Sequence, residues 1–161
     1  MTQQVMPSSH RHPHDYGPAH SLSVHLSQLS AYLVPLGRLL FTLIFLESIP
    51  MHFSAQGIGY AAQSGVPLPN VLVPLSGILA LAGGLSVLLG YHARIGALLL
   101  ALFLIPVTLM MHAFWNISNH ETSQIQMIMF MKNVSLLGTA LMLMHFGAGP
   151  ISIDAARTRR L

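Results

Sequence analysis

The chain has 161 residues, of which 53% are hydrophobic and only 7% are charged. Soluble domains carry about 25% charged residues, so this composition excludes an ordinary water-soluble domain. Lys and Arg outnumber Asp and Glu by seven to four, and the sequence contains no cysteine. Disulfides, thiolate metal sites and iron–sulfur clusters are therefore excluded, and any redox role requires a bound cofactor or a partner.

Residues 1–30 are polar and rich in His, Ser and Pro, with histidines alternating at His10, His12 and His14. Such a composition predicts a disordered, His-rich cytoplasmic tail. Alternating histidines leave metal binding as an alternative. Because only Asp15 could add a carboxylate to this cluster, no metal site is assigned.

Four apolar segments are predicted to span a membrane: residues 32–49, 71–90, 95–115 and 125–146. The third holds about 20 residues without a charge, which at 1.5 Å per residue covers a hydrocarbon core of roughly 30 Å. Glycines and prolines predict a loop between the first two spans, with a helical turn near 58–63 as an alternative. Small residues at helical spacing in the second span predict close helix packing, namely Ser76, Ala80, Gly83 and Gly84.

Basic residues lie in both tails and in the turn at 91–94, whereas the loops 50–70 and 116–124 contain none. The positive-inside rule then places both termini in the cytoplasm. The sequence therefore predicts an all-α integral membrane four-helix bundle, N-in/C-in, with a membrane domain at 31–154 and a basic tail at 155–161. These basic residues report orientation, and no nucleic-acid partner is predicted.

Ionisable side chains inside a span are costly in lipid and need a partner or a function. In the predicted orientation Glu47, His112 and Lys132 all lie toward the outer leaflet. Thr108, His112 and Trp115 follow at i, i+4 and i+7 and are predicted to share one helix face.

A polar stripe also runs along the fourth span, where Lys132, Ser135 and Thr139 follow at i, i+3 and i+7. Because polar faces avoid lipid, we expect this stripe to face the interior of the bundle. Arg38, about two turns into the first span, is interpreted as an anchor that reaches back to the interface.

Two interpretations of the outer-leaflet residues stay open. In the structural one, Glu47 and Lys132 neutralise each other, His112 bonds across helices, and Trp115 anchors the interface. In the functional one, they form a pocket for a quinone headgroup. Lys132 or His112 would donate to a carbonyl, Glu47 or Glu121 would exchange protons, and Trp115 would stack on the ring.

Other chemistry is disfavoured by the sequence. A haem with two histidine ligands would need His112 and His145, which are predicted at opposite ends of the bundle. Phosphate-binding glycine loops, nucleophile elbows and HExxH motifs do not occur. No catalytic residue is assigned, and any enzymatic role is at most that of a subunit of a quinone-linked oxidoreductase.

Three segments, PVTLMMHAFW (106–115), QIQMIMFMKN (124–133) and GAGPISID (147–154), resemble the DoxX family of small four-helix membrane proteins. The resemblance implies a compact bundle in the bacterial inner membrane and an association with quinone-linked oxidoreduction. Many members carry a glutamate in the second span, where this chain has none, and Glu47 would be its substitute. The recurrent polar positions that the resemblance carries over are Arg38, His112, Trp115, Lys132, Asn133 and Asp154.

The sequence therefore predicts a membrane subunit or accessory protein of a quinone-linked redox system, with quinone as its one candidate cofactor. The headgroup site would comprise Glu47, His112, Trp115, Lys132 and Asn133. The alternative is a non-catalytic membrane scaffold or assembly subunit. Expected partners are the lipid bilayer, other membrane or redox subunits, and further copies of the chain.

Overall fold

The computed structural model describes residues 29–160, and within that range the regular structure is entirely helical. Four helices are long and apolar enough to cross a membrane, which confirms the predicted number of spans. Two short helices and one 3-10 turn connect or follow them. The elements are α1 (Leu33–His52), α2 (Ala55–Gln63), α3 (Pro69–Leu89), α4 (Ala93–Met111), the 3-10 turn Phe114–Asn116, α5 (His120–Phe146) and α6 (Ile153–Thr158).

Local signals in the sequence explain several helix boundaries. Ser54 caps α2 by accepting a hydrogen bond from the Gly57 N–H at 3.0 Å, and Asn119 caps α5 in the same way. Helix α2 includes the residues near 58–63 for which a helical turn was an alternative. Gly90 ends α3 at a positive φ of 64°, a conformation that costs glycine little.

Helix α1 packs mainly on α3, α3 on α4, and α4 on α5. The rings of Phe41, Phe45 and Phe103 follow one another edge to face through the core. The small residues of α3 let α4 approach closely, as predicted, since a Cβ on Gly83 would lie 2.9 Å from the Gly96 carbonyl oxygen. Helix α5 is the least buried of the four spanning helices.

The bundle has two ends, named here by one residue each. The Arg38 end comprises the turn 90–92 and the segment 147–154, and the His112 end comprises residues 112–119 and helix α2. The positive-inside prediction places the Arg38 end in the cytoplasm, and this orientation stays a prediction. The predicted His-rich tail lies outside the described residues, apart from its last two. Part of the predicted basic C-terminal tail forms helix α6.

Candidate functional site

A chain of hydrogen bonds connects three elements at the His112 end. Nδ1 of His112, just after α4, lies 2.7 Å from Oε1 of Gln126 on α5. Because an amide oxygen only accepts, the imidazole donates in this contact. The Gln126 amide nitrogen in turn lies 3.3 Å from the Tyr60 hydroxyl on α2. The sequence analysis missed Gln126 and Tyr60, although Gln126 stands seven residues before Asn133 and so shares its helix face.

Three aromatic rings pack beside this hydrogen-bonded chain. Phe114, Trp115 and Phe130 contact one another edge to face, with centroids 5.1 to 5.8 Å apart. Trp115 remains 54% exposed. The indole therefore lies partly open at the same end of the bundle as the hydrogen-bonding His112, and these are two of the residues that the sequence predicted for a headgroup site.

The prediction that Thr108, His112 and Trp115 share one helix face is wrong. Helix α4 ends at Met111, so His112 is its C-terminal capping residue and Trp115 belongs to the 3-10 turn. The Ser123 hydroxyl of α5 donates to the Phe114 carbonyl oxygen at 3.0 Å. This contact from another helix stabilises the turn in place of a further helical turn of α4.

Lys132 and Glu47 are both exposed on the surface of their helices. The only polar contact of the Lys132 ammonium is the sulfur of Met129 in its own helix, at 3.5 Å, as far as the described residues show. Neither Lys132 nor Glu47 forms an ion pair with any residue that the structure describes. Mutual neutralisation of these two charges within one chain, one of the open interpretations, therefore does not occur in this structure.

The prediction that the stripe of Lys132 and Ser135 faces the bundle interior is also wrong. Both residues are exposed, and the face of α5 toward α4 instead carries Asn133 and Ala140. Apolar side chains that flank Asn133 and Ala140 pack on the core, namely Leu136, Leu137, Leu143 and Met144. Burying these large apolar side chains contributes more free energy to folding than burying a short polar stripe would. Asn133 is 6% exposed, and its side chain makes no hydrogen bond with a described residue.

The Arg38 end contains a charged side chain that the chain itself surrounds. Arg38 is 5% exposed, and its guanidinium donates to the carbonyl oxygens of Ala148 at 2.7 Å and Ile151 at 2.8 Å. Its Nε is buried without a partner among the described residues. Arg38 does reach back toward the start of α1, as predicted, but it ends on backbone carbonyls of the segment 147–154.

Asp154 connects the same segment to the start of α4. Its carboxylate accepts hydrogen bonds from the backbone N–H of His92 at 2.8 Å and of Ala93 at 3.0 Å, so it satisfies donors that a helix start leaves free. Its own N–H donates to the Gly90 carbonyl at 2.8 Å. An open cavity of about 720 Å³ lies beside these bonds, with the exposed side chains of Arg94 and Arg157 at its edge.

The structure thus brings His112 and Trp115 together, buries Asn133 on the inner face of α5, and leaves Glu47 and Lys132 exposed. It does not place the five predicted site residues around one pocket within a single chain. Arg38 and Asp154, the other two polar positions from the resemblance, hold the opposite end of the bundle together.

Comparison with known proteins corrects the predicted family. Residues 18–159 match the model of the SURF4 family, and no evidence for the DoxX family accompanies this match. The segments that carried the DoxX resemblance are mostly apolar residues that many membrane helices share, so they discriminate poorly between families of small helical membrane proteins.

Two curated proteins of Escherichia coli (strain K12) are similar to the chain. The inner membrane protein YphA is 27% identical over 124 residues, which cover 76% of this chain and 88% of the relative. The inner membrane protein YqjF is 31% identical over 100 residues, which cover 60% of this chain and 72% of the relative. No solved structure matches the chain. With four membrane-spanning helices and a family match over nearly its whole length, the chain belongs to the SURF4 family and is a multi-pass protein of the bacterial inner membrane.

Proposed function

We propose that the chain is a non-catalytic assembly subunit of the inner membrane, whose exposed helix faces bind another membrane-embedded polypeptide. The observation that carries this proposal is the placement of Lys132, which is exposed near the middle of α5 and lacks a carboxylate partner among the described residues. A partner chain would supply the groups that this ammonium lacks.

The energetic argument depends on how deep Lys132 lies. It stands about 10 Å inside the predicted span, which begins at residue 125, and about 21 Å from the end of α5, at 1.5 Å per residue. A lysine side chain reaches only roughly 6 Å, so its ammonium stays within the apolar part of the helix. A lysine at the centre of a spanning helix costs about 2.5 to 3.5 kcal/mol on insertion scales. Contact with a polar group of a second polypeptide offsets that cost, whereas acyl chains do not.

The residues around Lys132 favour a helix as the partner. Ser135 and Gly138 are exposed on the same side of α5, and a Cβ at Gly138 would meet nothing within 4 Å. Small residues let another helix approach the backbone closely, which is the main source of helix association in lipid. A close-packed helix and a buried ion pair can therefore form at the same place.

Native mass spectrometry of the protein released from lipid nanodiscs tests the proposal. We expect a stoichiometric complex with at least one further polypeptide, and we expect Lys132→Met to dissociate it. Arg94→Met is the matched control, because Arg94 is also exposed but lies at the Arg38 end. A wild-type protein that carries no bound polypeptide would contradict the proposal.

A second candidate function is supported by the His112 end. His112, Gln126 and Tyr60 form a hydrogen-bonded chain at the same end of the bundle as the partly open Trp115 ring. Aromatic surface beside a hydrogen-bond donor is what a quinone headgroup requires. A quinone-linked accessory role would therefore use His112 and Trp115, with Gln126 and Tyr60 in place of Glu47 and Lys132.

Extraction of lipids and quinones from the purified protein tests this candidate. We expect stoichiometric quinone in the wild type and its loss in His112→Ala. His145→Ala is the matched control, because His145 lies near the other end of α5. Equal quinone in all three proteins, at the level of bulk lipid, would reject a site at the His112 end.

A further inference from the structure

We infer that the polypeptide bound by the exposed face is a second copy of this chain, and that Glu47 of each copy pairs with Lys132 of the other. This inference rests on the proposed assembly function and specifies its partner. It starts from two groups of opposite charge that one chain exposes on two different spanning helices, Glu47 on α1 and Lys132 on α5, neither of which is paired within residues 29–160.

The two charges lie at nearly the same level of the bundle. The ring of Phe103 on α4 lies 6.0 Å from the Phe45 ring and 5.6 Å from the His52 ring. The level of Phe103 on α4 therefore corresponds to the middle of the stretch between Phe45 and His52 on α1, which contains Glu47.

The same level can be followed from α4 to α5. His112 is paired with Gln126, and the two helices run in opposite directions. Nine residues back from His112 is Phe103, and nine residues on from Gln126 is Ser135. Ser135 is three residues from Lys132, about 4.5 Å along the helix. Lys132 lies on the His112 side of the Phe103 level and Glu47 on its Arg38 side, so the two residues differ in level by about 7 Å. The lysine and glutamate side chains together cover that distance.

Each charge lies in an exposed stripe at helical spacing. On α1 the stripe contains Leu36, Leu40, Leu43 and Glu47, and on α5 it contains Ile128, Lys132 and Ser135. These faces cannot satisfy each other within one chain, because α1 packs mainly on α3 and α5 mainly on α4. In a twofold dimer, α1 of one copy would pack on α5 of the other twice, which gives two Glu47–Lys132 pairs. A carboxylate is the partner that an ammonium in lipid requires, and this chain carries one at the matching level.

Charge reversal at each position, in a differentially tagged pair of variants, tests the inference. A Glu47→Lys dimer would place lysine against lysine, and a Lys132→Glu dimer would place glutamate against glutamate. We expect each variant alone to lose self-association by at least about tenfold. A mixture of the two variants restores both attractive pairs, so we expect mixed dimers to recover to within about threefold of the wild type. Native mass spectrometry of the reconstituted proteins measures the dimer fraction of each variant alone and of the mixture.

The mixture also controls for folding, since a variant that assembles with its complement must be folded. Arg94→Glu serves as the matched control for charge reversal outside the interface, and we expect it to self-associate like the wild type. Because the natural chain has no cysteine, a chain with Glu47→Cys and a chain with Lys132→Cys provide a second readout. Because the level offset is too large for a disulfide, we expect a short thiol-specific crosslinker to join these two chains, and not to join them when Lys132→Cys is combined with Ile78→Cys on α3.

Four results would overturn the inference. A mixture that associates no better than either variant alone would show that the two charges do not meet across copies. The absence of a crosslink between the two cysteine variants would show the same. A wild-type chain that is never self-associated, but holds a different polypeptide in a Lys132-dependent complex, would reject the second copy and leave the assembly function standing. A chain that binds no polypeptide at all would reject both.

Discussion

The Arg38 end and the exposed faces of α1 and α5 place ionisable side chains in apolar helices in two different ways. Arg38 is buried, and two carbonyl oxygens of the same chain accept its hydrogen bonds. Lys132 and Glu47 are exposed and have no ion-pair partner among the described residues. A charge in a spanning helix has a structural role where its own chain surrounds it, as at Arg38. A charge that its own chain leaves exposed, as at Lys132 and Glu47, indicates a binding surface.

Depth along the helix explains why the two regions differ. Arg38 stands five residues from the start of α1, so the segment 147–154 can fold over it and supply carbonyl groups. Lys132 lies near the middle of α5, where only another helix can reach it. Irregular backbone satisfies charges near the membrane surface, whereas charges at depth require helices as partners.

Removal of the Arg38 guanidinium should have the largest effect on stability. We expect Arg38→Met to lower the free energy of unfolding by about 3 kcal/mol, because it leaves the buried Ala148 carbonyl and the partly buried Ile151 carbonyl without donors. Unfolding in mixed micelles with sodium dodecyl sulfate measures this, with Trp115, the single tryptophan, as the fluorescent reporter. Arg94→Met, which removes an exposed arginine, should change stability by less than about 0.5 kcal/mol. Equal effects of the two substitutions would remove the contrast between the two regions.

A side chain at Gly90 should disturb the same end through packing. A Cβ there would collide with the Arg38 guanidinium and with Ser152, and the positive φ is strained for alanine. We expect Gly90→Ala to cost about 2 kcal/mol in the same unfolding assay. Gly37→Ala is the matched control, because a Cβ there meets nothing within 4 Å. Gly37→Ala should stabilise α1 by about 0.5 kcal/mol. A similar loss in the free energy of unfolding for both variants would show that the Gly90 contacts are unimportant.

Loss of the Asp154 carboxylate should have a smaller effect. We expect Asp154→Ala to cost about 1 kcal/mol, because the N–H groups of His92 and Ala93 lose their acceptor at the start of α4. Asp154→Asn keeps one acceptor oxygen and should lose about half as much. Glu121→Ala, at an exposed acid in the first turn of α5, is the control. In Asp154→Ala we expect faster hydrogen exchange at the Ala93 N–H and unchanged exchange at the Thr122 N–H, which would place the loss of stability at the start of α4. Faster exchange at Thr122 with Ala93 unchanged would contradict this prediction.

Hydropathy predicted the four spanning helices because apolar length is a local property of the sequence. Residues 71–90 were predicted for the second span, and α3 covers Pro69–Leu89. The end of α4 was missed because it depends on Ser123, which belongs to another helix. The carbonyl oxygen that accepts from Arg38 is likewise 110 residues away in sequence. Interactions between distant segments are not encoded in local periodicity.

The facing of α5 could not be predicted for a related reason. Two sets of polar residues recur along this helix at helical spacing, one with Gln126 and Asn133 and the other with Lys132 and Ser135. The centres of the two sets lie about 140° apart around the axis at 100° per residue. The rule that polar faces avoid lipid therefore allows either set to face the interior. Only the packing of the neighbouring leucines on α4 decides between them. The candidate site was therefore predicted at the level of residue type and helix end, but not as one pocket.

The smallest effect on stability is expected at Lys132, and it is the sharpest test of the contrast. The part of the chain that the structure describes gives Lys132 no partner beyond the Met129 sulfur, so Lys132→Met should change the free energy of unfolding by less than about 0.5 kcal/mol. The same substitution should abolish association, whereas Arg38→Met should weaken folding first. Measuring unfolding at high dilution in detergent, where only single chains remain, separates the two effects. If Lys132→Met destabilised the single chain as much as Arg38→Met, the ammonium would have a partner inside the bundle, and the exposed face of α5 would lose its role as a binding surface.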